Sequence, residues 1–445
     1  MIYFTHYIPW NDDSRMTSGV KGIEDIETIF CRNGARLLPI PSKRRTHHLT
    51  PARRLALQRP ILRTWQEACG PLLPGDALVI LLPLHEKFGL LGRLIRSLKS
   101  RGIKIVFLAA DLELARPATY SGLKRSYVTR QELSYLRQAD GIITHNQAYT
   151  RLLQSRGITG PFMEFGLFDY LIPEAQLRNL QSRRNGGTPL SPDAGSSQSN
   201  DGTPLSPDVD PGQSNSGTPL SPDVDPGQSN SGTPLSPDAG SGRLSGGTPR
   251  PDGPVIIATN LNPEKAGYAY RLPAGTDFVL YGPNYRPELQ RSDGASGGSG
   301  ASERRPEDRK SDNAPFPRIT YGGAFQADDL IDHISGSYGL LWDGPSPDTC
   351  AGPYGSYMRV NTPHRISLFL ACGIPVIVWD QSAMAPLVLE EGLGFAVSSL
   401  GEIPAKRMEI SAEQYSEMAK KAWLTGARLR RGENTASILE QIRQL

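Results

Sequence analysis

Short apolar runs alternate with longer amphipathic stretches along most of this 445-residue chain. Apolar runs of roughly four to eight residues are typical of strands buried on both faces of a parallel sheet. Stretches with helical periodicity between them are typical of helices that cover such a sheet. In the first part of the chain the pattern predicts strands over residues 2–8, 35–40, 77–84, 103–111 and 141–146, and helices over residues 20–32, 61–68, 90–100, 123–137 and 147–156.

The same alternation resumes in the second part of the chain. Strands are predicted over residues 254–260, 277–284, 318–325, 339–344, 375–379 and 395–399. Helices are predicted over residues 326–335 and 385–391, in the short segment before residue 373, and twice near the C-terminus. Strands that alternate with helices at this spacing favour a doubly wound parallel sheet in each part. The prediction is an α/β protein with two Rossmann-like domains facing across a cleft, the arrangement called GT-B.

The composition changes abruptly between the two parts. A fifteen-residue unit, GTPLSPDVDPGQSNS, recurs within residues 183–253 and contains almost no apolar side chains. Such a segment cannot bury enough surface to offset its ordering entropy, so we expect disorder, and the same holds for a loop at residues 292–314. The predicted organisation is therefore a first Rossmann-like domain, the repeat segment, a second Rossmann-like domain and a C-terminal helix, at residues 1–180, 183–253, 254–425 and 426–445.

Charge and cysteine content narrow the class of protein. The net charge is +3, and the basic residues are spread along the chain, which argues against nucleic acid and is compatible with an anionic small ligand. The four cysteines have neither metal-binding nor disulfide-like spacing, which favours a reducing cytoplasm. No signal peptide and no apolar run of about 18 residues is evident, so a membrane-spanning helix is not expected. The basic amphipathic helix near residues 90–98 suggests at most peripheral membrane contact.

One segment, NTPHRISLFLACG at residues 361–373, concentrates the candidate chemistry. It predicts a loop, a short helix and a tight turn into the strand PVIVW. His364 and Arg365 lie near the start of the helix, where backbone N–H groups and the helix dipole favour an anion. We interpret this element, with Asn361, as a clamp for the diphosphate of a nucleotide-sugar donor. On this interpretation residues 254–425 form the nucleotide-sugar-binding domain and residues 1–180 form the acceptor-side domain. The alternative is an ordinary surface arginine on a core helix.

The ordered set of motifs resembles the glucosyltransferase 3-like family of bacterial glycosyltransferases, which includes galactofuranosyltransferases. The resemblance covers almost everything except the two inserts and residues 41–70. The matching segments in chain order include SGVKGIEDIETIFCRNGARLLPI, LLPGDALVILLPL, FLAADLELAR, ELSYLRQADGIITHNQAYTRLLQSRGI, LFDYL, NPEK, LYGPN, ITYGGAF, YGLLWDG, NTPHRISLFLACGIPVIVW and EEGLGFAV.

The resemblance implies a metal-independent transferase that moves a hexosyl group from a UDP-sugar to a carbohydrate or glycoprotein acceptor. The implied setting is surface polysaccharide assembly or adhesin glycosylation. By motif, Lys265 and Arg365 take the places of basic residues near the diphosphate, and Tyr281 takes a place near the base. One departure is Ala110, which stands where the family has a histidine before Asp111. His85 is one candidate to take over the role of that histidine.

Physical chemistry is consistent with these assignments. Fixed cations such as Lys265 and Arg365 stabilise the charge that develops on a leaving diphosphate. No Asp-x-Asp motif appears where a nucleotide-sugar metal site would require it, so no metal and no other cofactor is expected. An inverting transfer needs a general base, for which Asp111 is the first candidate and an N-terminal helix cap the alternative role. The remaining candidates are Asp12 and Asp13 as further bases and Asn262 as a substrate-binding residue. Gly19 and Lys21 are candidates on the acceptor side.

Two other functions remain open from the sequence alone. A non-catalytic partner subunit that keeps the fold is compatible with Ala110. An epimerase on the same scaffold requires carboxylates on both cleft walls, for which Asp343 gives only partial support. The sequence does not reveal the sugar, the acceptor or the stereochemistry, and it leaves the oligomeric state open, with a homo-oligomer as one alternative.

Overall fold

The computed structural model describes residues 1–8, 18–41, 51–84, 89–116, 122–184, 251–290 and 317–445. Asp12, Asp13 and His85 lie outside these ranges, as do the loop at 292–314 and nearly all of the predicted repeat segment. The expectation of disorder therefore stays a prediction for those segments. At the start of the repeat segment, however, Arg183 and Arg184 complete a helix.

The first lobe is built on a parallel six-stranded sheet whose strands lie in the order β2-β1-β3-β4-β5-β6. Strands β3 and β4 are almost entirely buried, which explains their continuous apolar sequences. The strands are Ile2–Ile8 (β1), Arg36–Pro41 (β2), Ala77–Leu82 (β3), Lys104–Ala109 (β4), Gly141–Thr144 (β5) and Phe162–Glu164 (β6). The helices are Ser18–Arg32 (α1), Pro51–Ala68 (α2), Leu91–Ser100 (α3), Gly122–Leu136 (α4), Gln147–Gln154 (α5) and Glu174–Arg184 (α6).

The second lobe is built on another parallel six-stranded sheet, in the order β12-β11-β10-β7-β8-β9. Counted within this lobe, the order is that of a Rossmann fold. Its strands are Val255–Ala258 (β7), Phe278–Tyr281 (β8), Ile319–Gly323 (β9), Tyr338–Leu341 (β10), Val376–Trp379 (β11) and Gly394–Val397 (β12). The later helices are Pro263–Ala266 (α7), Leu330–His333 (α8), Gly352–Tyr357 (α9), His364–Ala371 (α10), Ala385–Glu390 (α11), Ile403–Met408 (α12), Ala412–Arg431 (α13) and Glu433–Arg443 (α14).

The last helix returns to the first lobe. Ile438, Leu439 and Ile442 of α14 are buried in the hydrophobic cluster that covers one face of the first sheet. The two C-terminal helices meet at Gly432, whose positive φ of 78° terminates α13 in the left-handed conformation. The predicted boundary between residues 425 and 426 falls inside α13, so the chain does not divide there. The boundary predicted at residue 180 likewise falls inside α6.

Several short or irregular elements were absent from the predicted set, namely β6, α6, α7, α9 and α12. The segment GPYGSY of α9 has no apolar periodicity, and β6 has only three residues, so neither carries a local signal. Helix α2 begins ten residues before its predicted start, with Pro60 inside it. In contrast, the predicted helix over 326–335 shortens to α8. Among the described residues, no helix is long and apolar enough to cross a membrane.

Candidate active site

A cavity of about 480 Å³ lies between the two lobes and receives side chains from both. Its polar and charged lining from the first lobe consists of Asp111, Arg116 and His145. Its lining from the second lobe comes chiefly from four places: the short helices α7 and α9, the end of β10 and the loop into α10. These residues are Lys265, Asp343, Tyr354, Tyr357, Asn361, Thr362, Pro363, His364 and Arg365.

Strand ends place these side chains together. Asp111 follows β4 and His145 follows β5, which are neighbours in the first sheet. Lys265 follows β7 and Asp343 follows β10, which are neighbours at the point where the strand order of the second sheet reverses. Ligands of open α/β sheets bind at such switch points, at the carboxyl ends of the strands. The cavity is therefore where the topology of both sheets predicts a ligand.

Arg365 is held at the floor of the cavity by buried polar groups. Its Nη2 lies 3.1 Å from Oδ1 of Asp343 and donates to the backbone oxygen of Trp342 at 3.1 Å. Its Nε has no hydrogen-bond partner among the described residues. Burial acts to lower the pKa of the guanidinium, but the charge and hydrogen bond of Asp343, together with Tyr268 and Cys350, outweigh it and the pKa is raised. Arg365 is thus a fixed cation with donor capacity left over.

Lys265 supplies the second cation of the donor side. It lies in α7, whose first turn is capped by Asn262 accepting from the backbone N–H of Glu264 at 3.0 Å. Burial lowers the pKa of the Lys265 ammonium, and the nearby charge of Arg365 lowers it further, against the attraction of Asp343 and Asp111. Two cations that repel each other and both interact with the carboxylate of Asp343 favour an anion at this place.

The start of α10 adds backbone donors to the same wall. Pro363 precedes the helix as its N-cap and offers no side-chain hydrogen bond to the first turn. The ring of His364 packs 5.2 Å from that of Tyr170, and a Cβ on Gly22 would lie 2.9 Å from it. Burial, and secondarily the charge of Lys21, lowers the pKa of His364 to about 4, so this ring is neutral near pH 7. It therefore contributes shape rather than charge, and neither ring nitrogen has a hydrogen-bond partner among the described residues.

The first-lobe wall carries a carboxylate and a buried imidazole. Asp111 is exposed to the cavity and accepts a hydrogen bond from the hydroxyl of Tyr357 at 2.6 Å. Nδ1 of His145 pairs with Oδ1 of Asn361 at 2.8 Å, and its ring stacks on Tyr149 at 4.9 Å. Burial lowers the pKa of His145 despite the nearby Asp111, which keeps the imidazole neutral.

Behind this wall, Arg116 is accompanied by two buried carboxyl groups. Its Nε lies 3.8 Å from Oε2 of Glu113, whose backbone N–H donates to Glu132 at 3.0 Å. Burial raises the pKa of Glu132 to about 7, although that hydrogen bond and Arg116 both act to lower it. The arrangement fixes Arg116 at the edge of the cavity next to the segment that carries Asp111.

The predicted site residues divide into two groups. Those that line the cavity are Asp111, Lys265, Asn361, His364 and Arg365. The described residues that do not line it are Tyr281, Asn262, Lys21 and Gly19.

The second group has other contacts in the structure. Tyr281 is buried and donates its hydroxyl to the backbone oxygen of His333 at 2.9 Å. Lys21 joins the lobes, because its ammonium lies 3.1 Å from Asp25 and 2.6 Å from Asp328. Gly19 belongs to α1. Their proposed roles toward a substrate stay predictions.

The structure adds His145, Arg116, Asp343 and Tyr357 to the candidate set. His145 and Asp343 lie just beyond strand ends, which is a signal that the sequence contained, whereas Arg116 lies farther along the segment that follows β4. Tyr357 lies in an irregular helix and gave no local signal. Ala110 lines the cavity where the family histidine was expected, and His145 lines it as well. Among the described residues, no group of three or more His, Cys, Asp or Glu side chains is placed to hold a metal ion.

Two facing Rossmann-like lobes with a charged cavity between them define the GT-B class. The chain belongs to the glucosyltransferase 3-like family: the model of its N-terminal domain matches residues 2–167, and that of its C-terminal domain matches residues 302–442. Together these matches cover more than half of the chain.

Curated relatives agree with this membership. The chain is 29% identical over 190 residues to the beta-1,6-galactofuranosyltransferase WbbI of Escherichia coli K12, covering 42% of this chain and 48% of that protein. It is 32% identical over 111 residues to glucosyltransferase 3 of Streptococcus gordonii, covering 24% of this chain and 31% of that protein. The matched segments thus span about half the length of these relatives or less.

Solved structures confirm the predicted fold. Sucrose-phosphate synthase of Thermosynechococcus elongatus superposes with a TM-score of 0.53 at 12% identity, covering 100% of this chain and 98% of the other. HepE of Anabaena, solved in complex with UDP, superposes with a TM-score of 0.51 at 11% identity, with 100% of both chains covered. At these identities the likeness shows the shared two-lobe architecture.

Proposed function

We propose that this protein transfers a hexosyl group, of the glucose or galactofuranose type, from a UDP-sugar to a carbohydrate or glycoprotein acceptor. The observation that carries the proposal is the pairing of Lys265 with Arg365 at the switch point of the second sheet, facing the cavity between the lobes. Family membership and the names of the two relatives support the class of reaction. The acceptor is proposed to belong to surface polysaccharide or adhesin glycosylation, with the protein acting in the cytoplasm.

The chemistry follows from the charges of the site. In an inverting transfer, an acceptor hydroxyl oxygen forms a bond to the anomeric carbon while the bond from that carbon to the diphosphate breaks. The electron pair of the broken bond leaves on the diphosphate, where Lys265, Arg365 and the N-terminus of α10 stabilise it. Asp111, on the opposite wall, accepts the proton of the hydroxyl. We propose that these fixed cations perform the transfer without a metal ion, so that activity persists in a chelator.

A non-catalytic partner subunit is the second candidate, and Ala110 in the lining is the observation that favours it. Both candidates bind a nucleotide-sugar, but turnover separates them. Transfer or hydrolysis of a UDP-sugar by the purified chain alone excludes the partner-subunit function. Saturable binding without turnover of any donor, in the presence of a panel of acceptors, supports it instead.

The first experiment measures thermal stabilisation by UDP, UDP-glucose, UDP-galactofuranose and a GDP-sugar. A ligand that binds only the native state at 100 times its Kd adds about 2.7 kcal/mol to the free energy of unfolding. We expect stabilisation by the UDP compounds and its loss in Lys265→Ala. The matched control is Lys420→Ala, which removes an exposed lysine of the same lobe. Equal stabilisation of both variants contradicts the assignment of the diphosphate site.

A further inference from the structure

One hydrogen bond crosses the cavity from lobe to lobe. The hydroxyl of Tyr357, at the end of α9 in the second lobe, donates to Oδ1 of Asp111 in the first lobe at 2.6 Å. The two residues are 246 positions apart in the chain. The separation falls within the roughly 2.5–2.7 Å range of an O–H group donating to a charged oxygen. The contact is thus a charge-assisted bond between the two halves of the site.

Tyr357 stays protonated and can therefore always donate this hydrogen bond. Its side chain is buried, and burial together with the charge of Asp111 raises the pKa of the phenol well above its ordinary value. The hydroxyl therefore keeps its proton at any working pH and has a carboxylate as its acceptor. The carboxylate has a second oxygen, and Asp111 is itself exposed to the cavity. One oxygen is held while the other remains available to a substrate.

Residues 360–362, which follow Tyr357, also form hydrogen bonds with the first lobe. Asn361 pairs with His145 at 2.8 Å, and Asn146 donates to the backbone oxygen of Val360 at 3.0 Å. Thr362 donates its hydroxyl to the backbone oxygen of Gly166 at 3.1 Å. Residues 357–362 thus form an interlobe strap that runs along the ends of β4, β5 and β6.

The interlobe strap also reaches the donor side of the site. The sulfur of Met358 lies 3.9 Å from Nη2 of Arg365, and Arg365 follows the strap by three residues. The groups that face Asp111 from other elements are Tyr357, His145, Tyr149 and Lys265, according to their contacts and electrostatic influence. A displacement of the second lobe therefore moves the diphosphate cations and the Asp111 hydrogen bond together.

We propose that Tyr357 is a positioning residue that orients Asp111 as the base of the transfer, and that it does so only while the two lobes are in contact. This inference rests on the proposed function. Because the donor of the hydrogen bond belongs to the lobe that holds the nucleotide, the base is oriented when that lobe is in place. Such coupling favours transfer to the acceptor over proton abstraction in an open site.

The test is Tyr357→Phe, which removes the hydroxyl and keeps the ring. We expect kcat to fall about 10- to 100-fold, with the donor KM and the thermal shift by UDP changing less than about 3-fold. The acidic limb of the pH profile of kcat/KM should move to higher pH, since a carboxylate that loses a hydrogen-bond donor holds its proton more tightly. The matched control is Tyr415→Phe, which removes another buried hydroxyl, bonded to the backbone of Ser337 at 2.8 Å. It should leave kcat and the pH profile unchanged.

A double-mutant cycle separates positioning from a purely structural role. In an Asp111→Asn background, Tyr357→Phe should cause little further loss of kcat, because the oriented group is already gone. Wild-type kcat and pH profile in Tyr357→Phe, a raised kcat, or additive losses in the double variant each overturn the assignment of Tyr357 and leave the proposed function standing. Absence of transfer by the wild-type protein with every donor overturns the proposed function, and this assignment falls with it.

Discussion

The guanidinium of Arg365 lies 3.1 Å from the carboxylate of Asp343, and both side chains are less than a tenth exposed. A buried ion pair of this kind is held in place by the desolvation penalty that either partner would face alone. The arrangement keeps a permanent cation at the switch point of the second sheet when no anionic ligand is present. The pair balances one positive charge with one negative charge, and a bound diphosphate adds further negative charge beside it.

The first prediction concerns the loss of that counterion. Asp343→Asn should lower the free energy of unfolding by about 3 kcal/mol, because it leaves a buried guanidinium without a charged partner. The stabilisation by UDP should then exceed that of the wild type, since the diphosphate replaces the missing negative charge. Denaturant unfolding with and without UDP measures both effects. Glu440→Gln is the control: it breaks the exposed ion pair with Arg443 and should cost less than about 1 kcal/mol.

The second prediction separates the shape of Arg365 from its charge. Arg365→Lys keeps the positive charge but loses the planar fork that binds two oxygens at once. We expect kcat/KM for the donor to fall about 10- to 100-fold, and the free energy of unfolding to fall by about 1–3 kcal/mol because the buried backbone oxygen of Trp342 loses its donor. Arg443→Lys, a surface replacement of the same kind, should leave kcat/KM unchanged. A wild-type kcat/KM in Arg365→Lys would mean that the charge alone carries the contact.

The third prediction is a dependence of stability on pH that comes from Glu132. Its pKa is raised by burial from 4.5 to about 7 in the folded protein. Between these values the native state binds more protons than the unfolded state, so this group's contribution to stability falls as the pH rises from 4.5 to 7.

Glu132→Gln should remove this fall in stability with rising pH. The variant should match the wild type near pH 4 and exceed its free energy of unfolding by about 1–3 kcal/mol at pH 8. Glutamine keeps an oxygen that can accept the hydrogen bond from the backbone of Glu113. Denaturant unfolding across this pH range checks the difference, and a difference that does not vary with pH would contradict it.

The fourth prediction tests the crossing of the C-terminal helix into the first lobe. Gly432 and Gly157 both have a positive φ, of 78° and 73° respectively. A Cβ on Gly432 would lie 2.7 Å from Ile29, whereas a Cβ on Gly157 would meet nothing within 4 Å. Gly157→Ala should cost about 1–2 kcal/mol from backbone strain alone. Gly432→Ala should cost at least about 2 kcal/mol more, because it also overpacks the contact between the lobes. Equal losses of unfolding free energy in the two variants would contradict the prediction, because they would show that Ile29 can move away from the added methyl group on Gly432.

The sequence by itself determined the two sheets and most of their strand ends. Continuous apolar runs such as those of β3, β4 and β11 encode burial on both faces locally, so their presence does not depend on distant residues. Because parallel strands end at a common edge, the same pattern placed Asp111, Lys265 and Arg365 toward one cleft. The family resemblance added the class of the reaction.

Only the tertiary structure decided which side chains meet across the cleft. Tyr357 faces Asp111, Asn361 faces His145, and α14 packs on the first sheet. Tyr281 and Lys21, in contrast, have partners elsewhere. Local periodicity records whether a side chain is buried but not against which distant segment. Those contacts depend on how two separately folded sheets are placed relative to each other, which no short stretch of sequence encodes.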